Sequence, residues 1–218
     1  LKGESCILFP FRRYFMIAVI DYKVGNVKSV CNAFAHIGCE AVLTSSPEDI
    51  ENAGGIVLPG VASFGYAVRE LGRLAESVVS AARQGRPLLG ICVGYQLLFD
   101  SSCELGSHRG LGLIEGDVVN IPSGRVIPHM GWNQVKYQPD MGLFSGLEAC
   151  RYFYFAHSYY SRVSDSQAKA AFTEYDGVKM AAFVQKENVF GTQFHPEKSG
   201  PQGLKVLKNF ASFCGEED

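Results

Sequence analysis

One stretch of nine residues constrains this chain more than any other: Leu88-Leu89-Gly90-Ile91-Cys92-Val93-Gly94-Tyr95-Gln96. It follows Pro87 and begins as a short apolar run, which reads as a buried strand. With Leu97, Leu98 and Phe99 it continues as the start of a helix. Cys92 stands at the junction, with Gly90 before it and Gly94 after it. That is the pattern of a nucleophile elbow with cysteine in place of serine. A sharp strand-to-helix turn brings backbone segments together, and side chains at the flanking positions would clash. The turn lifts the nucleophile off the sheet, and the positive end of the next helix favours thiolate over thiol. A buried structural cysteine fits the same residues when they are taken alone.

The chain before the elbow alternates strand and helix. Met16–Asp21 is a continuous apolar run that reads as a buried strand. Val27–Ile37 reads as a helix with Asn26 as its cap and Gly38 ending it. Ala41–Leu43 and Gly55–Leu58 read as further strands, separated by a brief helix opened by Pro47. Tyr66–Gln84 reads as one long helix. This alternation predicts an α/β fold, a doubly wound and mostly parallel central sheet with helices on both faces, flavodoxin-like in kind. Sites in such sheets lie at the carboxyl ends of strands, so the loops after Asp21, Leu58 and Ile91 are expected to converge. The second half is richer in strands: Asp117–Ile121, Asn133–Tyr137, Tyr152–His157, Ala168–Tyr175, Met180–Lys186 and Val189–Phe194. Asp100–Gly112 reads as a loop, and Gln202–Phe213 as a final helix.

With 218 residues the chain suits a single domain, expected over 16–218. Residues 1–15 show neither an amphipathic period nor a signal-peptide cleavage site. They read as an extension outside the domain, either upstream-translated or artificially added, with a degenerate targeting peptide as the other reading. A net charge of −2 implies no nucleic acid and no membrane surface as partner. No apolar run approaches the roughly 20 residues of a membrane span. Seven cysteines without a C-x-x-C or a Cys/His cluster argue against a metal site and a disulfide framework, and for a reducing cytosol.

A thiol nucleophile needs a base and an acid that orients it. Both occur late, in Gly191-Thr192-Gln193-Phe194-His195-Pro196-Glu197-Lys198. His195 precedes proline and is therefore biased to an extended conformation. In an extended segment residues i and i+2 point the same way, so His195 and Glu197 can present imidazole and carboxylate on one side. The combination Gly-Ile-Cys-x-Gly-x-Gln with a late Phe-His-Pro-Glu strongly resembles the class I, triad-type glutamine amidotransferases, from Met16 to about Cys214.

The resemblance implies hydrolysis of glutamine by Cys92, His195 and Glu197 as nucleophile, base and orienting acid, with no metal and no cofactor. It implies an oxyanion hole from the backbone at Gly60, Val61 and Val93. Gln96, Ser158 and Tyr159 then hold the substrate. Ala62 departs from the second glycine usual in the Pro-Gly-Val-Gly loop. If that position requires φ > 0, alanine costs about 1 kcal/mol.

Asp21–Asn26, His129–Asn133 and Arg151–Tyr159 go beyond the general family. By themselves they read as a helix cap, a turn into a strand and an aromatic core strand. Together they resemble the branch of the family that passes ammonia to a (β/α)8-barrel cyclase in histidine biosynthesis, as a heterodimer. In that branch Asn26, Trp132, Tyr154 and Lys198 would face the partner, and activity would depend on it. Lys23 stands where a glycine is common. Three rival readings stay open: a triad glutaminase serving pyridoxal phosphate or anthranilate synthesis, a cysteine hydrolase of the α/β-hydrolase type, and an inactive regulatory subunit. The order of the triad, with Glu197 after His195, weighs against the hydrolase.

Overall fold

The structure, a computed structural model, describes residues 16–122, 124–138 and 140–215. The expected extension over 1–15 lies outside the described residues.

Strands β1 (Ile17–Ile20), β2 (Ala41–Thr44), β3 (Gly55–Leu58) and β4 (Leu88–Ile91) alternate with helices. The helices are α1 (Val27–His36), α2 (Pro47–Asn52), α3 (Phe64–Leu71), α4 (Leu74–Arg83) and α5 (Val93–Gln96). There follow β5 (Phe99–Ser102), β6 (His108–Arg109), β7 (Ile114–Asn120), β8 (His129–Lys136), β9 (Cys150–His157), β10 (Tyr159–Val163), β11 (Lys169–Tyr175), β12 (Val178–Lys186), β13 (Val189–Thr192) and α6 (Gly200–Phe213).

A nine-stranded sheet runs in the order β2-β1-β3-β4-β13-β12-β11-β8-β9. Its first five strands pair in parallel, as the alternation predicts. Strands β1, β3 and β4 are buried on both faces, so they read as unbroken apolar runs. From β13 outward every pairing is antiparallel, so the sheet is mixed. β10, β7, β5 and β6 form a second, smaller sheet. One apolar core runs from Ile17 to Cys214 and takes in Phe99, Ile114 and Val118 of the smaller sheet.

The structure corrects several local expectations. The long helix is two helices, because Gly72 adopts φ 47° and ends α3 with its N–H on the Val68 carbonyl. Asn26 makes no side-chain cap to α1. The Asp100–Gly112 loop begins within strand β5 and contains the two-residue strand β6, and β10 is a strand that the sequence pattern does not mark. The turn expected at His129–Asn133 is already strand β8.

Candidate active site

β4 ends at the elbow. Cys92 has φ 55° and ψ −109°, a strained conformation for a residue with a side chain. The flanking glycines are required by space. A Cβ on Gly94 would lie 1.7 Å from the Leu58 carbonyl oxygen, and one on Gly90 2.6 Å from the Gly94 carbonyl oxygen. The helix after Cys92 is only one turn long, so its dipole contributes less than the sequence implied.

β13 lies parallel beside β4, with Thr192 opposite Ile91, and delivers the chain to His195 next to Cys92. His195 is itself extended, but Pro196–Lys198 forms a tight 3-10 turn. Imidazole and carboxylate therefore meet through a turn and not along an extended segment. His195 Nδ1 lies 2.9 Å from Glu197 Oε1, and both side chains are buried. The other Glu197 oxygen is buried with no partner among the described residues. Burial alone would lower the His195 pKa. The charge and hydrogen bond of Cys92 and those of Glu197 outweigh it and raise the pKa to about 10. An imidazole so placed can exchange a proton with the sulfur while the carboxylate holds its ring.

Cys92 opens into a cavity of about 390 Å³. Val61, Val93, Gln96, Ser158, Tyr159 and His195 all line it. A larger cleft of about 500 Å³, beside Asn133, Lys136 and Lys179, holds no cysteine or histidine. Gln96 is buried, and its Nε2 donates to the Tyr159 carbonyl (3.0 Å) and to Gln193 Oε1 (3.0 Å). Both amide protons are thereby used, leaving the Gln96 oxygen as the atom it can offer to a ligand.

The loop expected to supply the oxyanion hole is set differently from the expectation. The Val93 N–H donates to the Gly60 carbonyl at 3.3 Å, and the buried Tyr22 hydroxyl donates to the Pro59 carbonyl. Burial, then the charge of Cys92, pushes the Tyr22 phenol above its ordinary range and keeps it a donor. A Cβ at residue 60 would sit 2.8 Å from the Tyr22 oxygen, which is why glycine stands there. Ala62 does not have positive φ, so it is unstrained in this arrangement.

The four residues expected at a partner face lie around one rim. Asn26 and Lys198 line the cavity. Trp132 and Tyr154 are opposite each other on β8 and β9, rings edge to face at 6.3 Å, and the Lys198 ammonium lies 5.9 Å from the Tyr154 ring centre.

Sequence reasoning missed two cavity-side residues. Gln193, fully buried, directs Nε2 at Cys92 Sγ at 3.9 Å. The period of two that paired His195 with Glu197 also picks out Gln193, so that signal was present. Glu104 lines the cavity and accepts the Phe64 N–H at 2.6 Å. Nothing in its local sequence marks it.

A model of the family described as "Glutamine amidotransferase class-I" matches residues 18–213. The chain belongs to the class I glutamine amidotransferases. Among relatives of this amidotransferase, "Imidazole glycerol phosphate synthase subunit HisH" of Methanothermobacter thermautotrophicus is 48% identical, covering 89% of this chain and 97% of the relative. The protein of the same name from Caldanaerobacter subterraneus subsp. tengcongensis is 44% identical, covering 89% and 97%. The fold is shared with PurLQS from Thermotoga maritima at a TM-score of 0.73 and 22% identity, covering 91% of this chain and 98% of that one. It is also shared with a crystal structure described as a glutamine amidotransferase, at a TM-score of 0.71 and 19% identity, covering 91% and 98%.

Proposed function

We propose that this amidotransferase is the glutaminase subunit of imidazole glycerol phosphate synthase, in histidine biosynthesis. The observation that carries the reading is a thiol, an imidazole and a buried carboxylate in line at one cavity, in a chain 48% identical to a HisH subunit.

In this reading the Cys92 thiol proton has already passed to His195, and the Cys92 sulfur attacks the side-chain amide carbon of glutamine. His195 then gives that proton to the departing ammonia, leaving a glutamyl thioester. Water, deprotonated by His195, attacks the thioester, and glutamate leaves as Cys92 is regenerated. Glu197 orients the ring throughout. Gln96 offers its oxygen to an N–H of glutamine, and Ser158 and Tyr159 hold its amino-acid end. Glu104 supplies a carboxylate for the α-ammonium.

The tetrahedral oxyanion needs preorganised N–H donors. Val93 is the natural one, but its N–H is engaged by the Gly60 carbonyl. Turning the Gly60–Val61 peptide over would release the Val93 N–H and bring the Val61 N–H in beside it. We assign that turn to binding of a (β/α)8-barrel cyclase whose nucleotide site is occupied. This makes it an allosteric coupling, two sites biasing one loop. Exposed Val61, Met130, Trp132 and Tyr152 offer the apolar surface such a partner needs. Ammonia passes through that interface to the cyclase in a one-to-one heterodimer. The chain's half-reaction uses no cofactor. Free thiols at Cys31, Cys92, Cys103 and Cys150 support the cytoplasm as its compartment.

The test is glutamate release from glutamine by the protein alone, with the cognate barrel subunit, and with the barrel plus its nucleotide, using Cys92→Ala as blank. Strong stimulation in the third sample alone is expected. High activity in the first would overturn the gating, and no activity in any would revive the inactive-subunit reading.

A further inference from the structure

Two buried histidines have no part in the chemistry above. His129, on β8, and His157, at the end of β9, face each other across the sheet register, with Nδ1 of His129 2.9 Å from Nε2 of His157. His129 is stacked between the rings of Phe155 (4.7 Å) and Tyr175 (4.1 Å). Burial lowers the pKa of His129 to about 4. Burial, then the charges of His129 and His195, lowers that of His157 to about 3 against its bond to Tyr159, so both rings are neutral.

Backbone groups at both ends dictate where the protons sit. At one end His157 Nδ1 lies 2.8 Å from the Tyr159 carbonyl, which can only accept. His157 therefore carries its proton on Nδ1, and its Nε2 accepts from His129 Nδ1–H. His129 Nε2 is then an acceptor. At the other end Asn133 Nδ2 lies 2.9 Å from the Glu174 carbonyl and 3.2 Å from His129 Nε2, while Asn133 Oδ1 accepts the Gln134 N–H at 2.7 Å. Read from that end, Asn133 must present its amino group, which demands the same tautomers. Four groups thus share one proton order.

The carbonyl at the end of this chain also receives Gln96 Nε2. That bond sets the Gln96 amide, whose second proton sets Gln193 Oε1 and so aims Gln193 Nε2 at the Cys92 sulfur. Tyr159, Ser158 and one edge of His157 itself are cavity wall. We propose that His129 and His157 are positioning residues for glutamine binding, acting through the Tyr159 carbonyl on the Ser158–Tyr159 wall and on the amide orientation of Gln96 and Gln193. The proposal rests on the glutaminase reading of the cavity.

Two measurements test it. The first is the tautomeric state from ¹⁵N chemical shifts of the imidazole nitrogens at neutral pH, expected to place the proton on Nδ1 in both residues. A proton on Nε2 of His157 overturns the proposal. The second is glutamine affinity by calorimetry in a Cys92→Ala parent carrying His157→Asn or His157→Gln. Asparagine places an amide N–H where Nδ1 stood and keeps the bond to Tyr159, whereas glutamine extends past it. His157→Asn should bind within about twofold of the parent and His157→Gln about tenfold more weakly, the worth of one hydrogen bond. Equal weakening in both, or none in either, overturns it, because a purely structural role would not distinguish them. A parent that binds no glutamine would count against the glutaminase reading, and the tautomers would still judge the proton order. They also judge it if a variant fails to fold.

Discussion

At the residue scale, the central fact is that His195 gains more from its partners than it loses by burial. Its pKa is raised, so the imidazolium is favoured below about 10, across the whole neutral range. A charged ring beside the sulfur favours thiolate. Iodoacetamide should therefore label Cys92 at pH 7 on the order of tenfold faster than in His195→Asn, because an unpaired thiol is only a few per cent ionised there. The sign is checkable by pH: the advantage of the wild type over the variant should persist across the neutral range and disappear as pH passes about 10, where the His195 ring loses its proton. Equal rates in the two proteins would show that the sulfur is not paired. Gln193 matters at this scale too, because it is a second N–H donor near the sulfur and comes from the same strand end as His195.

At the element scale, the elbow and the edge of the smaller sheet are held by different forces. The elbow is a packing device. α5 passes so close to β3 that Gly94 has no room for a methyl group. Gly94→Ala should cost about 3 kcal/mol in urea unfolding, at the upper end of overpacking effects, since the obstacle is backbone that cannot rotate away. A change under about 1 kcal/mol would mean the elbow is free to open. Beside the apolar core the two sheets share, polar groups tie the edge of the smaller sheet to the larger one. Buried Asp165 pairs with Lys186 of β12 at 2.7 Å and accepts the N–H groups of Glu115 and Gln167. Burial raises the Asp165 pKa, and the bonds from Lys186 and the two backbone groups more than offset it, so the net shift is downward. A depressed carboxylate pKa stabilises the fold above the unfolded value, about 4, and that stability is lost as pH falls through the folded value. Asp165→Asn should cost about 2 kcal/mol at pH 7 and flatten the acid limb of the stability curve. An unchanged acid limb would show that the ion pair does not couple the sheets.

At the scale of the whole molecule, the site sits where β1, β3, β4 and β13 all end, as parallel sheets require. The Gly60 carbonyl engages the Val93 N–H, and the rim beside it is apolar and exposed. Under the proposed function, a protein built this way conserves glutamine until a partner seats on the rim. Trp132 is 52% exposed, so replacing it should leave the fold intact. Trp132→Glu should weaken cyclase binding on the order of a hundredfold, as loss of a central aromatic anchor does, measured by calorimetry against the barrel subunit. Unchanged affinity would move the docking face elsewhere.

The local pattern of the chain determined a great deal. The apolar runs of β1, β3 and β4, the two glycines about Cys92 and the His-Pro-Glu sequence are all short-range signals. Each is dictated by the backbone of a few neighbouring residues, and together they specified the parallel half of the sheet and the candidate triad. The antiparallel half was legible as strands, but β5, β6 and β10 of the smaller sheet were not. Short strands with half-exposed residues lack a clear period and form only because a partner strand is present. The break at Gly72 was hidden because a single glycine does not interrupt a helical pattern. What only the tertiary structure decided is the hydrogen-bond order of the site: Gly60 against Val93, Tyr22 against Pro59, and the path from Asn133 through two histidines to Tyr159, Gln96 and Gln193. Most of these contacts join residues far apart in the chain, and each amide and imidazole could bond either way round. Only buried backbone carbonyls, fixed as acceptors by the fold, choose between those orientations.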